Sequence, residues 1–292
     1  MKKQKLINQI ILCTFFSIFC GLIIFPFWLL VSASLSDSAS LLETGYRIIP
    51  KPLDLSAYGY IMRNPQQILN AYGITFTFSV TSMVFGVLLM AMIAYPLSRS
   101  GLKGRNAINF YLYFTMLFSG GLVPTYIIIS SVLHLNNTLW VYILPGLISP
   151  WYVFMMRTFF AGIPDAIMES ARIDGASEYK ILFGIVIPLS KPVLATVALF
   201  VFLAKWNDWN TALIYITDSK LYSLQYLLQK MVEDINILKE NATVSAINDL
   251  SKLPTETVRM AMAVVAAGPA LIVFPFFQKY FVKGLTVGSV KG

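Results

Sequence analysis

Two clusters of residues in this 292-residue chain have types and spacings that could do chemistry. The first is Asp165, Glu169 and Arg172. Their i, i+4, i+7 spacing places them on one helical face, which suits docking into a partner's groove. The second is Lys205-Trp206-Asn207-Asp208-Trp209-Asn210, inside an apolar segment where ionisable groups are expensive and point to function. Lys205 and Asp208, at i, i+3, could neutralise each other. Trp206 and Trp209 could stack on sugar rings, and Asn207 and Asn210 could hydrogen-bond hydroxyls. Two plainer accounts compete: an interfacial aromatic belt, and a charged pair that only pins helices together. Neither cluster contains a nucleophile, base and orienter set. No Gly-x-x-x-x-Gly-Lys-Ser/Thr phosphate loop occurs, so the chain cannot hydrolyse ATP by that route. No His/Cys cluster supports a metal site. The chain reads as a non-enzyme.

The elements that must position the first cluster follow from its neighbours. Ile167, Met168 and Ala171 fall on the adjacent, apolar face of the same helix. Gly175 tolerates positive φ and can end that helix, and Asp174 or Ser177 can cap the next. The second helix starts polar, turns apolar from Ile181 to Ile187, and is closed by Pro188. The spacing predicts a short helix, a turn and a helix that climbs back into a membrane, over about 163–188.

A membrane is required by composition. The chain is 57% hydrophobic and 12% charged, with mean hydropathy +0.69, where soluble domains carry about 25% charged residues. Six apolar segments are long enough to span: Ile7–Ser32, Ala71–Ser98, Ile108–Leu133, Leu139–Phe160, Leu189–Ile214 and Met260–Val282. The first follows Met1-Lys-Lys-Gln-Lys5 but is too long for a signal peptide and lacks a small-residue cleavage site, so it reads as an uncleaved anchor. With the N-terminus inside, thirteen Lys and Arg fall inside and nine outside. Four acids fall inside and ten outside, giving +9 within and −1 without, which together make the net +8. The asymmetry places both termini and the Glu169 segment in the cytoplasm. It also explains the basic balance without nucleic acid. The expected architecture is one all-α, polytopic membrane domain over 1–292.

Two outer loops are long, about 35–70 and 215–258; the second begins helix-like, from Leu221 to Ile237. They suit a docking face for an external binding protein, with simple connection as the alternative. Pro and Gly recur inside the spans, at Pro26, Gly86, Pro96, Gly120, Gly121, Pro124, Pro145, Pro150, Gly268, Pro269 and Pro275. They suit kinked helices around a path, or routine packing. Cys13 and Cys20, both in the first segment at i, i+7, read as ordinary helix packing. Arg157 snorkels to the inner interface. His134, beside Asn136 and Asn137, reads as interfacial, with titration near neutral pH as the alternative.

The loop residues also carry a resemblance. Glu169-Ser-Ala-Arg-Ile-Asp-Gly-Ala176, followed by Ile185-Val-Ile-Pro-Leu189, resembles the EAA loop of bacterial ABC importer permeases. It departs at Ser170, where Ala is usual, and at Ile187, where Leu is usual. Phe118–Pro124, Ile143–Gly146, Pro188–Pro192, Trp206-Asn207, Ala212–Tyr215 and the tail Phe276–Gly292 extend the likeness. They are similar to the MalG-type half of carbohydrate ABC importers, and within it to the LplC/YtcP-like subgroup of oligosaccharide permeases.

The resemblance implies a type I importer permease (MetI-like) fold in a bacterial inner membrane. It implies a second homologous permease subunit, two copies of a cytoplasmic ABC ATPase, and an external sugar-binding lipoprotein that delivers an oligosaccharide. ATP and Mg would belong to the ATPase, with no cofactor on this chain. The ATPase-coupling residues it implies are Glu169, Ser170, Ala171, Asp174, Gly175, Ala176 and Pro188. Lys205, Trp206, Asn207, Asp208, Trp209 and Asn210 remain the candidate substrate pathway on their residue types alone, beside the two plainer accounts. Three rivals stand at this point: an ABC permease for another solute, an ion-gradient transporter using Lys205 and Asp208, and a membrane scaffold.

Overall fold

The computed structural model describes the backbone of residues 2–240 and 255–288, with side chains from 8–237 and 256–278. The polar remainder of the 215–258 loop, at 241–254, and the last tail residues, at 289–292, lie outside the described residues. Among the described residues the chain is helical with no β-strand; the sole strand-like pairing is an isolated bridge between Ser36 and Leu53.

The chain divides into two compact units, residues 1–68 with 227–268, and residues 69–226 with 269–292. In the first, α1 (Lys2–Ser34) is followed by two short helices, α2 (Ser38–Thr44) and α3 (Ser56–Ile61). Asp37 caps α2 by accepting from the Ser40 N–H at 2.9 Å. The Ser32 hydroxyl donates to the Arg47 carbonyl at 2.7 Å, and the Trp28 indole to that of Ile48 at 2.9 Å. The segment after α1 is thus folded back on the end of that helix. Cys13 and Cys20 are free and exposed on α1, not packed. The helix expected in the second outer loop is α14 (Leu224–Glu240).

The second unit holds α4 (Pro65–Ser98, from Leu69), α5 (Arg105–Leu117), α6 (Leu122–Ile127), α7 (Trp140–Ile143) and α8 (Pro150–Ala161). There follow α9 (Asp165–Ile173), α10 (Glu178–Ile181), α11 (Ile187–Leu189), α12 (Lys191–Trp206) and α13 (Asn210–Tyr215), and finally α15 (Thr255–Gly288), which begins in the first unit. Its core is one cluster: Met90, Ala94 and Leu97 of α4, Val153, Met156 and Phe160 of α8, and Val193 and Val197 of α12. Met168 and Ile181, from the polar loop, are buried in the same cluster. Burying each contributes about 2 kcal/mol. This is what fixes the loop against the spans.

Among the described residues three helices are long and apolar enough to cross a membrane unbroken: Asn8–Ser34, Pro65–Ser98 and Glu256–Gln278. The other expected spans are broken. The third bends by 111° between Leu117 and Leu122, where Gly121 has φ +84°. The fifth starts only after an 83° bend at Ser190, and α12 stops at Trp206. The fourth is split into α7 and α8 by residues 144–149, with Gly146 at φ +74°. Pro26, Pro96, Pro269 and Pro275 each lie inside a continuous helix. Positive-φ glycine, which cannot continue a right-handed helix, marks two of the three breaks, and proline alone does not.

The break in the fourth span is closely held. Lys205 Nζ donates to the carbonyls of Tyr142 and, at 3.2 Å, Pro145. The Ser149 N–H meets Met90 Sδ at 3.4 Å, and Tyr142 stacks on Phe78 with ring centroids 4.3 Å apart. A Cβ on Gly86 would sit 2.9 Å from the Leu147 carbonyl oxygen. Gly86→Ala should therefore lower the thermal midpoint of the purified protein, by roughly 1–3 kcal/mol of overpacking. Gly73→Ala in the same helix, with open space around it, should leave it unchanged or raise it. Lys205→Met should also lower it, by about 1–3 kcal/mol for each buried carbonyl left unpaired, while Lys205→Arg retains most of the stability. Differential scanning fluorimetry in detergent checks all four.

Candidate functional site

The Glu169 segment folds as the spacing predicts, and its geometry explains the residue types. At the end of α9 the Ala176 N–H donates to the Ala171 carbonyl at 2.9 Å, and the Gly175 N–H to that of Arg172 at 3.0 Å. This 6→1 and 5→2 pair is a Schellman cap, and it needs its C′ residue in the left-handed region. Gly175, at φ +80°, is that residue. Ala171 and Ala176, at the two ends of the 6→1 bond, pack against the buried core. Ser177, not Asp174, caps α10, accepting from the Lys180 N–H at 3.4 Å. Pro188 lies in the single turn of α11, downstream of a π-helical turn over Leu182–Val186, and the chain bends at Ser190.

Two polar ties fasten the loop to the end of α4. Arg99 Nη1 donates to Asp165 Oδ1 at 2.8 Å, and Nη2 to the Phe160 carbonyl at 2.6 Å. Tyr95 Oη donates to Glu178 Oε2 at 2.5 Å. Glu178 also accepts from Arg172 Nε at 2.7 Å; that hydrogen bond holds the Arg172 guanidinium above its ordinary pKa. Asp165 sits in the first turn of α9, where the helix dipole favours an anion. So Asp165, Glu169 and Arg172 do share a face, and together with Tyr95, Arg99 and Glu178 they line one cleft of about 720 Å³.

Within this set the charges are spent unequally. Asp165 is engaged by Arg99, and Arg172 by Glu178. Glu169 is exposed and makes no hydrogen bond or ion pair among the described residues. Around it the surface is apolar for a polar loop: Ile173 is 86% exposed, Tyr179 68% and Ile167 42%. Ser170 and Asp174 are exposed beside them. Sequence reasoning missed Tyr95, Arg99 and Glu178 as anchors. Arg99 counted only as a topological charge, and its partner Asp165 is 66 residues away, a separation that leaves no spacing signature.

The second cluster is arranged differently from its sequence reading. Lys205 and Asp208 form no ion pair: Lys205 serves the carbonyls of the broken fourth span, as above. Asp208, two residues before α13, instead accepts from the Thr211 N–H at 3.0 Å and the Thr211 hydroxyl at 2.7 Å. Its carbonyl accepts from Ser223 Oγ at 2.8 Å. Trp206 is 1% exposed and stacks on Phe202 at 5.7 Å; in this conformation its ring faces core rather than any ligand. Asn207, Trp209 and Asn210 are exposed. Asn207 Oδ1 accepts from Gln225 Nε2 at 3.2 Å.

A known family matches residues 71–287 of the chain: the binding-protein-dependent transport system inner membrane component. Protein LplC of Bacillus subtilis (strain 168) is 38% identical, the alignment covering 92% of this chain and 90% of LplC. The polygalacturonan/rhamnogalacturonan transport system permease protein YtcP of the same organism is 36% identical, over 99% of this chain and 100% of YtcP. The fold is similar to a chain in the crystal structure of a bacterial ABC transporter involved in the import of the acidic polysaccharide alginate. The TM-score is 0.78 at 28% identity, covering 94% of this chain and 96% of the other. The matched region contains both clusters, and the chain belongs to the family of binding-protein-dependent transport system inner membrane components.

Proposed function

We propose that this chain is the permease subunit of an ATP-driven ABC importer for oligosaccharides, coupled to its ATPase through the Glu169 loop. The observation that carries the coupling assignment is the knob itself. An unpaired carboxylate at Glu169 stands among exposed Ile167, Ile173 and Tyr179, on a loop anchored at both helices to α4 and the core. Exposed apolar residues grouped around an unpaired charge are the composition of a docking surface. The cytoplasmic ABC ATPase, which brings ATP and Mg, is the partner proposed for it. Asp174, Gly175 and Ala176 shape the turn, Ala171 seats it, Ser170 borders it, and Pro188 sets the exit into the fifth span.

The cargo assignment rests on proteins similar to this chain, whose names concern polygalacturonan or rhamnogalacturonan transport and alginate import. In this reading a sugar-binding lipoprotein delivers the oligosaccharide at the outer loops. A second, homologous permease subunit completes the path, and both termini face the cytoplasm. The two permeases alternate between inward and outward openings, biased by ATP at one end and the loaded binding protein at the other. Of the second cluster, exposed Asn207, Trp209 and Asn210 are the proposed pathway residues, with Lys205, Trp206 and Asp208 positioning them.

Glu169→Ala and Gly175→Pro should each weaken ATPase association while the chain still inserts. Truncating one partner of a buried, hydrogen-bonded charge pair removes about 2–5 kcal/mol of binding. Co-purification of the ATPase from native membranes, with transport assays alongside, reads the effect; full retention of both would overturn the coupling assignment. Asp208→Asn preserves the cap on Thr211, because Asn accepts as Asp does at a helix start. Unchanged transport in that variant would take the Asp208 charge out of the pathway.

A further inference from the structure

The end of α4 carries a second polar arrangement that the docking loop does not use. Leu97 is in its last turn, where carbonyls have no intrahelical partner. Its carbonyl oxygen accepts from two guanidinia, Arg105 Nε at 2.9 Å and Arg157 Nε at 3.1 Å. The two Nε atoms are therefore within the sum of those distances of each other. Both side chains are half-buried. Neither forms an ion pair with a carboxylate among the described residues, and their terminal Nη groups have no protein acceptor there. Like charges held this close, in partly desolvated positions, repel unless an anion lies between them.

Three further features point to what that anion is. Arg105 is the first residue of α5, a 13-residue helix with no side-chain cap and no acid in its first turn. The Arg105 N–H is taken by the Leu102 carbonyl at 3.3 Å, but the positive dipole end of the helix lies beside it. Arg157 is backed by the Phe154 ring, 6.0 Å from the guanidinium carbon. Beyond the first turn, α5 exposes Ile108, Phe110, Tyr111 and Phe114, a surface made for acyl chains. An anion site with apolar surface beginning one helical turn away fits an amphiphile.

We propose that Arg105 and Arg157, with the N-terminus of α5, bind the phosphate group of an anionic membrane lipid, in the leaflet that borders the Glu169 loop. Each guanidinium is oriented by its Nε bond to Leu97 and presents its Nη donors to the phosphate oxygens. This lipid site is separate from the docking knob, where the guanidinium of Arg99 is engaged by Asp165 and Phe160.

The test uses the full chain, purified with its partners, and native mass spectrometry of bound lipid after titration with phosphatidylglycerol or phosphatidylcholine. Wild type should prefer phosphatidylglycerol. Arg105→Gln and Arg157→Gln should each weaken that binding about fivefold, and the double variant roughly 25-fold, since a basic residue near an anionic surface is worth about 1 kcal/mol. Lys191→Gln, an exposed charge outside the pair, should bind as wild type. Inorganic phosphate is the second probe, read by thermal shift. If it stabilises wild type as much as phosphatidylglycerol does, the lipid is not the source and the proposal falls. It also falls if the preference survives in the double variant. Arg105→Lys with Arg157→Lys guards against misfolding: it keeps both charges, so it should retain most of the lipid preference, and a loss equal to that of the Gln pair would overturn the site.

Discussion

The structure of the second unit depends on how the last turn of α4 is satisfied. A helix ends with carbonyls that nothing in the helix can reach, and here three of them find donors from outside the helical ladder. The Tyr95 carbonyl takes the Ser98 hydroxyl, that of Pro96 takes the Arg99 N–H, and that of Leu97 takes two guanidinia. Arg99 then reaches outward to the last turn of α8 and the first turn of α9. Cations at a helix C-terminus are favoured by the dipole. This one terminus therefore gathers three arginines, and through them fixes the starts of α5 and α9 and the end of α8.

Magnitudes show what these contacts are for. The Arg99 side chain is 12% exposed but that of Asp165 is 71% exposed, so their pairing is screened and worth at most about 1 kcal/mol. The hydrogen bond from Arg99 to Phe160 is charge-assisted and worth about 1.5–3 kcal/mol. Burial of Met168 and Ile181 contributes as much again for each. Most of the loop's stability therefore comes from its apolar side, and the polar ties set its orientation. Orientation is what leaves Glu169 with no internal partner, while the neighbouring Asp165 and Arg172 both have one.

The helix–turn–helix of the loop was legible in the sequence because its cap is local, whereas the ties that orient it, from Tyr95 and Arg99, are not. A Schellman cap needs a left-handed residue at C′, and Gly175 supplies it, the bond that closes the cap spanning only Ala171 to Ala176. The helical class and the membrane character were legible because apolar run length reports them directly. Broken spans were not. Eleven Pro and Gly positions had equal standing as possible kinks, yet Pro96 lies inside a continuous helix while Gly121 interrupts its own, and Gly146, which was not among the eleven, interrupts the fourth span. What separates them is φ, which depends on contacts such as Lys205 with Tyr142, 63 residues apart. The pairing of Lys205 with Asp208 failed as an expectation for the same reason. Their spacing allows contact, but the carbonyls freed by a distant break compete for the lysine, and Thr211 competes for the aspartate.

The same ties decide which parts can move together. Arg99 joins α4, α8 and α9, Tyr95 joins α4 to α10, and the shared core buries Met168 and Ile181 between them. A force applied at the knob is then delivered to the whole of this body rather than absorbed in a flexible loop, because packed interiors transmit strain. The helices turn elsewhere, by 83° at Ser190 and by 111° beside Gly121, and hinges are drawn from such element-terminal residues. Residues that change the relation between knob and span should accordingly cluster at those two bends. Substitutions inside the tied body should change stability first.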